Sequence, residues 1–509
     1  MLIDLVKRLQ ILNLPSKRTK IFVFSLLNLL VFAIYFQVRN FNFINYDDAS
    51  LLLHNPNVYA GLTLQGVTWA FTATDFYDWF PLTWLSHMMD FQLYGENPAG
   101  HHLTNLILHL LNTSLLLILL SRVTGNFWKS AFVAAMFALH PLHVEPVAWV
   151  MSRKDLLSTL FLFLSLMSYF HFAKSRSLLS YAGSLLFFVF SLMSKQMMVT
   201  LPALLLLMDF WPLNRWSGSG RKIKALIYEK IPFAIVSIII SGITIYVHSN
   251  SHNILTLKQA PLALRLIHIP VSYGTYIFKT IWPEKLAVFY PISKSYSGWE
   301  IGASIIAIAL ITVIAATGVR LRPYLFVGWS WFLLTLLPVI GIVQIGSHTV
   351  ADRYMYVPII GLFIFVTWGI SDLVGNSRWQ KLIPFAAIIV LLACSAKTWW
   401  YLGSWQNDIT LYTKALEINR KNFVVLNNLG KALNSMGRSD EAAALYYESI
   451  QTEPEDEIAY VNLAYYYMVN NNCEMAINLL NEALRLKPDY PEARGALEYC
   501  QKKSGARSR

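Results

Sequence analysis

The chain has 509 residues, of which 55% are hydrophobic and only 14% are charged, and its mean hydropathy is +0.45. Its formal net charge of +12 would suit a nucleic-acid partner, but the basic residues lie in short segments between long apolar runs. Lys and Arg in such segments orient membrane proteins. The composition therefore argues against nucleic-acid binding and predicts a polytopic, all-α membrane protein.

The first apolar run, residues 21–38, follows a basic N-terminal segment that has no small-residue cleavage site. We interpret this run as an uncleaved first membrane span with the N-terminus in the cytoplasm. The next loop, residues 39–102, would then lie outside. Arg39 is its only Lys or Arg, against six carboxylates, and this asymmetry agrees with the positive-inside rule.

Two adjacent carboxylates, Asp47 and Asp48, lie in this first outer loop, directly after Asn45 and Tyr46. Charged side chains beside hydrocarbon cost free energy and often mark a functional cavity. One interpretation is a general base: one carboxylate accepts the proton of an acceptor hydroxyl, and the other holds the acceptor or tunes the pKa of its neighbour. The alternative is a helix N-cap or an Asx-turn at the membrane surface.

A second polar cluster lies between the third and fourth apolar runs, in HPLHVEP followed by SRKD. His140 and His143 would share one face of a helical turn, and Glu145 could complete a metal site. The two prolines favour a plain helix-breaking turn instead. In a third interpretation the cluster contacts a phosphate-bearing substrate, for which Arg153 and Lys154 supply the cations.

Two further cations are candidates for binding a phosphate. Lys195 lies at a predicted outer turn between two spans, where the positive-inside rule gives no reason for a lysine. Its alternative role is snorkelling to the interface. Arg353 also lies outside, and its alternative role is an ion pair with the neighbouring Asp352.

The sequence contains twelve apolar runs, of which eleven are expected to span the membrane. The runs are residues 21–38, 103–121, 131–150, 156–173, 178–194, 197–213, 231–247, 263–282, 301–319, 324–345, 354–371 and 383–400. Basic loops at 215–230 and 320–322 both belong in the cytoplasm, so an even number of crossings must separate them. We predict that 263–282, the most polar of the three runs between them, is interfacial or re-entrant. The odd total then places residues after about 401 outside, with Asp47 and Asp48.

The C-terminal segment, residues 401–509, is polar and repeats with the period of about 34 residues typical of tetratricopeptide repeats. The recurring positions are Asn428 and Asn462, Gly430 and Ala464, Ala442 and Ala476, Tyr446 and Leu480, and Pro454 and Pro488. Small residues at such positions let two helices pack closely. Residues 491–502 are expected to form a capping helix. Two full repeats are fewer than an independent solenoid needs, so we expect this α-solenoid to lean on the membrane domain, residues 1–400, or on its flanking helices.

Five stretches in this order, followed by the repeats, resemble a known family. They are NYDDASLLLHNPNV, PLTWLSHMMDFQLYGENPAGHHLTNLILHLLN, HPLHVEPVAWVMSRKDLLSTLFLFLSLMSY, SKQMMVTLPALLLLMDF and ADRYMYVPIIGL. Together they are similar to bacterial relatives of the transmembrane-and-tetratricopeptide-repeat O-mannosyltransferases, which belong to the C-type glycosyltransferase superfamily with the protein O-mannosyltransferases. The repeat array is much shorter than in the animal members. The resemblance therefore does not indicate which acceptor this chain uses.

The resemblance implies a multi-span fold, a polyprenyl-phosphate-linked sugar donor, inversion at the anomeric carbon and no nucleotide-sugar site. The acid pair of the family maps onto Asp47 as the base and Asp48 as the supporting acid. Contacts to the donor phosphate or the acceptor are expected from His140, His143, Glu145, Arg153, Lys154, Lys195 and Arg353. Beyond the donor no cofactor is expected, and a divalent metal at the two histidines and Glu145 is the alternative.

The predicted function is transfer of a sugar, such as mannose, from a polyprenyl-phosphate carrier to a hydroxyl of an extracytoplasmic acceptor, for example a protein Ser or Thr. Expected partners are the polyprenyl-phosphate lipid, membrane lipids and a protein or peptide acceptor held by the repeats. The expected location is the bacterial inner membrane, with a cytoplasmic N-terminus and extracytoplasmic repeats. A non-enzymatic scaffold for envelope assembly or polymer export is the rival. A transporter is disfavoured because the carboxylates lie in a loop and not at the bilayer midplane.

Overall fold

The computed structural model describes residues 15–74, 78–216, 220–250, 261–293, 295–342, 346, 348–375 and 377–507. Regular structure in these residues is helical, apart from one isolated bridge between Pro291 and His348. The α-helices are α1 (Lys17–Tyr35), α2 (Pro56–Tyr59), α3 (Leu64–Thr72), α4 (Pro81–Tyr94), α5 (Pro98–Thr124), α6 (Phe127–Leu139), α7 (Val144–Ala148), α8 (Arg153–Ser175), α9 (Leu178–Ser194), α10 (Leu201–Phe210), α11 (Gly220–Tyr228), α12 (Ile231–Asn250), α13 (Leu262–Ile281), α14 (Gly298–Thr317), α15 (Pro323–Leu336), α16 (Ile359–Val374), α17 (Ile383–Leu402), α18 (Asp408–Ile418), α19 (Phe423–Ser435), α20 (Ser439–Thr452), α21 (Glu457–Val469), α22 (Cys473–Leu486) and α23 (Pro491–Arg507). The predicted all-α class is confirmed.

Six helical segments of the described chain are long and apolar enough to cross a membrane: Lys17–Asn40, Pro98–Thr124, Val150–Ser175, Arg221–Ser249, Gly298–Thr317 and Arg378–Trp405. A seventh candidate is the pair formed by α6 and Pro141–Ala148, which is bent by 55°. Four shorter apolar segments accompany them: Leu178–Ser194, Gln196–Phe210, Pro323–Val339 and Ile359–Val374. Within the described ranges α13 is in neither group. The polytopic membrane fold is confirmed, and the count of eleven spans stays a prediction.

Helices α8 and α9 pack side by side through two pairs of buried serines. The Ser165 and Ser184 hydroxyls each donate to the carbonyl of the other residue, at 2.7 and 2.9 Å. The Ser191 hydroxyl donates to the carbonyl of Ser158 at 2.8 Å. Small polar residues let membrane helices approach closely and bond to each other where lipid provides little hydrophobic driving force. The Ser158–Ser191 bond joins the first part of α8 to the last turn of α9.

Two glycines allow α15 and α16 to cross at close range. A Cβ atom added to Gly361 would lie 2.3 Å from the carbonyl oxygen of Gly328, and one added to Gly328 would lie 2.6 Å from the carbonyl oxygen of Gly361. Any larger residue would force the helices apart. The crossing holds the first turn of α16, which follows shortly after the 3₁₀ turn Asp352–Met355.

The chain between α6 and α8 forms a series of short buried helices and not an exposed loop. A 3₁₀ turn at Pro141–His143, helix α7 and a second 3₁₀ turn at Val150–Ser152 follow one another, and each is fully buried. His140 Nδ1 accepts the Leu142 N–H at 3.3 Å, as the cap of the first turn. The prolines therefore do break the helix here, as one of the three interpretations expects.

The repeats form helices α18 to α23 and share a hydrophobic core with the membrane helices. A Cβ on Gly430 would lie 2.5 Å from the Tyr446 ring, which is the close packing of a small and a large residue that the repeat pattern predicts. The Asn422 amide donates to the carbonyl of Phe289 at 3.0 Å, so the first repeat turn is also bonded to the membrane part. The last helix, α23, covers the end of the array through Cys500.

Candidate active site

Asp48 is the buried member of the acid pair, and it fastens the first loop to the bundle. Its carboxylate accepts the N–H of Ile44 at 3.0 Å and the N–H of Met151 at 3.1 Å. The side chain makes no capping bond to the turn that follows it, Ala49–Leu53, so the alternative interpretation of Asp48 as a side-chain N-cap is wrong. Burial raises the pKa of Asp48 to about 7, although the two backbone donors favour the charged form.

Asp47 is the partly exposed member of the pair. Within the described chain its carboxylate has neither a hydrogen-bond nor an ion-pair partner, in contrast to Asp48. Desolvation raises the pKa of Asp47, and the positive charges of Lys154 and Arg353 oppose that rise. A carboxylate without a partner, close to cations and with a raised pKa, has the properties of a general base that awaits a proton donor.

Arg353 and Lys195 are each held by a carboxylate from a different part of the chain. Arg353 Nη1 lies 2.5 Å from Glu145 Oε1, and the Arg353 N–H donates to Glu145 Oε2 at 3.1 Å. Lys195 Nζ lies 2.5 Å from Asp155 Oδ1. The two cations meet at the ring of Tyr354, whose centroid is 5.2 Å from Arg353 Cζ and 5.2 Å from Lys195 Nζ.

Lys154 differs from these two cations because no carboxylate pairs with it in the described part of the chain. Its Nζ lies 5.3 Å from the ring centroid of Phe80, and its charge acts on both Asp47 and Lys195. The structure thus groups Lys154, Lys195 and Arg353, and the charges of Lys154 and Arg353 act on Asp47. The ends of three separate apolar segments meet at this point.

Arg153, the neighbour of Lys154, lies apart from this group in an internal network. Its guanidinium is fully buried and lies 2.5 Å from Asp90 Oδ2. It also donates to Asn105 Oδ1 at 2.9 Å and to the carbonyl of His101 at 2.8 Å. The arrangement ties α8 to α4 and α5, and leaves no exposed face of this arginine for a ligand.

The three residues of the possible metal site point to three different partners. His140 Nε2–H donates to the carbonyl of Thr280 at 3.0 Å, His143 Nδ1–H donates to the carbonyl of Phe137, and Glu145 holds Arg353. Among the residues that the structure describes, no three His, Cys, Asp or Glu side chains are grouped as metal ligands. His140, His143 and Glu145 therefore do not converge on one point as the ligands of a shared metal ion would.

The expected alternative partner of Arg353, Asp352, pairs with another cation. Asp352 Oδ1 accepts from Lys279 Nζ at 2.7 Å, and Asp352 Oδ2 accepts from the Tyr290 hydroxyl at 2.7 Å. The sequence does not point to Lys279 as a neighbour of the site. A lysine in run 263–282 indicates only that this run is too polar to span the membrane easily. The available signal was that a lysine buried in an apolar run needs a carboxylate partner.

Comparisons with known proteins agree with this architecture. Tetratricopeptide-repeat families match residues 411–444 and 435–500. The chain is 23% identical over 496 residues to Protein O-mannosyl-transferase Tmtc3 of Drosophila melanogaster and 22% identical over 486 residues to Protein O-mannosyl-transferase TMTC3 of Homo sapiens. It is also 22% identical over 432 residues to Protein O-mannosyl-transferase F38B6.6 of Caenorhabditis elegans.

These matches cover 82%, 87% and 81% of this chain, but only 53%, 53% and 60% of the relatives. The chain therefore spans about half the length of the curated relatives it matches. Its resemblance to the transmembrane-and-tetratricopeptide-repeat O-mannosyltransferases is confirmed.

Proposed function

We propose that this protein is an inverting glycosyltransferase that moves a sugar from a polyprenyl-phosphate carrier to a hydroxyl of an extracytoplasmic acceptor. Mannose is the sugar that the names of the relatives carry. The observation that carries the proposal is the carboxylate of Asp47, which has no hydrogen-bond or ion-pair partner in the described chain. The charges of Lys154 and Arg353 act on it, and Asp48 fastens its loop to the bundle. A base beside a group of cations suits a reaction in which a hydroxyl attacks and a phosphate leaves.

In the proposed step, Asp47 takes the proton of the acceptor hydroxyl while the hydroxyl oxygen attacks the anomeric carbon. The new carbon–oxygen bond forms on the face opposite the phosphate, so a single displacement inverts the configuration. The bond between the anomeric carbon and the phosphate oxygen breaks, and the polyprenyl phosphate leaves with the electron pair. Lys154, Lys195 and Arg353 stabilise the negative charge of this leaving group.

Asp48 has a supporting role, because both of its oxygens already accept backbone N–H groups. By joining the first loop to Met151, it sets the distance between Asp47 and the first turn of α8, which carries Lys154. A catalytic group gains most of its effect from such fixed placement.

The repeats would hold a protein or peptide acceptor close to Asp47. This is supported by the contact of their first helix, α18, with the acid loop: Asp408 accepts the Asn45 N–H. The polyprenyl tail would lie between membrane helices. We assign the acid loop and the repeats to the outside of a bacterial inner membrane, with the N-terminus in the cytoplasm.

The proposal is tested with the purified full-length protein, polyprenyl-phosphate mannose and a peptide that contains Ser and Thr. Asp47→Asn keeps the shape of the side chain but removes the base, so we expect transfer to fall about 10²- to 10⁴-fold. Asp489→Asn, which removes an exposed carboxylate from the repeat domain, is the matched control and should keep the wild-type rate. Equal rates for Asp47→Asn and wild type would remove Asp47 as the base. Partner capture without any sugar transfer by wild type would favour the scaffold.

A further inference from the structure

The acid loop is bonded to the repeat domain as well as to the membrane helices. The Asn45 N–H donates to Asp408 Oδ1 at 2.7 Å, and the Asn42 N–H donates to the carbonyl of Gln406 at 2.9 Å. Asp408 is the first residue of α18, the helix that begins the repeats. Both bonds thus come from the junction between the last membrane helix and the first repeat.

The bonds at Asn42 and Asn45 hold the first half of the acid loop, whereas the bond to Met151 holds its second half, at Asp48. Asp48 joins the loop to the buried turn before α8, whereas Asp408 joins Asn45 to the repeats. Tyr412, one helical turn after Asp408, is fully buried, and the charges of Asp47 and Asp48 act on its hydroxyl. The loop therefore lies between two supports, and α18 is one of them.

Capping of its own helix does not explain the placement of Asp408. Asn407 is the N-cap of α18: its side chain accepts the Thr410 N–H at 3.0 Å, and Thr410 bonds back to the Asn407 N–H. Asp408 is favoured in a first helical turn by the helix dipole, but that effect does not require a bond to Asn45. The carboxylate instead makes a charge-assisted bond to a backbone group 363 residues away in sequence.

We propose that Asp408 is a positioning residue that holds the acid loop, so that the first repeat helix is part of the active-site structure and not only a holder of the acceptor. The kinetic part of this inference rests on the proposed function. Because the Asn45 peptide is three residues or fewer from both carboxylates, a loop released at Asn45 would lose the placement of Asp47 relative to Lys154.

Three full-length variants separate positioning from docking. Asp408→Ala removes the acceptor of the Asn45 N–H, whereas Asp408→Asn keeps an acceptor oxygen and should rescue the function. The control is Asp440→Ala, which removes a repeat carboxylate that accepts the Tyr466 hydroxyl at 2.7 Å. Thermal unfolding of all three variants checks that each is folded.

The first readout is amide hydrogen exchange of residues 42–48, which needs no catalytic activity. We expect exchange at least about tenfold faster in Asp408→Ala, with near wild-type exchange in Asp408→Asn and Asp440→Ala. Unchanged exchange in Asp408→Ala would overturn the inference. Because this readout is independent of transfer, it decides the inference even where the proposed function fails.

The second readout is transfer to a serine derivative too small to reach the repeats. If Asp408 positions the loop, Asp408→Ala lowers kcat about tenfold or more while KM for the donor is unchanged, and Asp408→Asn restores it. If the repeats only dock acceptors, Asp408→Ala changes KM for long peptides and leaves the small acceptor unaffected. That result, or equal losses in Asp408→Ala and Asp408→Asn, would overturn the inference.

Discussion

Replacing Asp48 by Asn tests whether its carboxylate holds the acid loop. Both oxygens of Asp48 accept backbone N–H groups, at 3.0 Å from Ile44 and 3.1 Å from Met151. Asn has one acceptor oxygen, so its NH₂ group must face one of these two donors. A buried N–H left without an acceptor costs about 1–3 kcal/mol. We therefore expect the opening free energy of this region to fall by about 1–3 kcal/mol, or roughly 5- to 150-fold in the opening equilibrium.

The assay is amide hydrogen exchange of the Met151 and Ile44 N–H groups, with Asp47→Asn as the neighbouring control. The Asp47 carboxylate makes no hydrogen bond in the described chain, so its replacement should leave both amides protected. Transfer activity should fall in both variants, but for different reasons: a displaced loop in Asp48→Asn and a missing base in Asp47→Asn. Unchanged protection in Asp48→Asn, or equal loss in the two variants, would refute the reasoning.

Two further predictions concern the cations and their partners. The charge of Lys154 lowers the pKa of Asp47, so Lys154→Gln should raise that pKa. Because the base works only when ionised, the acidic limb of the kcat/KM profile should then move to higher pH. Lys154→Arg should keep the wild-type profile, and an unmoved limb in Lys154→Gln would contradict the assignment. Glu145→Gln should lower the thermal midpoint, because a nearly buried Arg353 loses its ion pair at a cost of about 3–5 kcal/mol. Adding Arg353→Gln should restore part of that midpoint without restoring transfer, and a double variant no more stable than the single one would count against the pair.

The features that the sequence predicts are those with a local pattern. Long apolar runs predict the membrane helices, and the period of about 34 residues predicts the repeats and the packing of Gly430 against Tyr446. The sequence also indicates the acid loop, because carboxylates are unusual beside apolar runs. Each of these signals lies within a few dozen residues of chain.

The pairings that build the site lie beyond such patterns. Glu145 and Arg353 are 208 residues apart, and Asp48 and Met151 are 103 apart, so only the packing of the helices brings them together. Even for the neighbours Arg153 and Lys154, the sequence does not show that the two side chains have different partners. Consecutive residues point about 100° apart around a helix. Here Arg153 pairs with Asp90, while the Lys154 Nζ lies by the Phe80 ring, from where its charge acts on Asp47.

The most direct test of the central claim is the stereochemistry and rate of transfer from polyprenyl-phosphate mannose, followed by NMR of the anomeric proton in the product. The proposed mechanism predicts a product with the anomeric configuration opposite to that of the donor. It also predicts that Asp47→Asn loses about 10²- to 10⁴-fold in rate while the control Asp489→Asn does not. A product that retains the configuration of the donor, or full transfer by Asp47→Asn, would contradict a single displacement with Asp47 as the base.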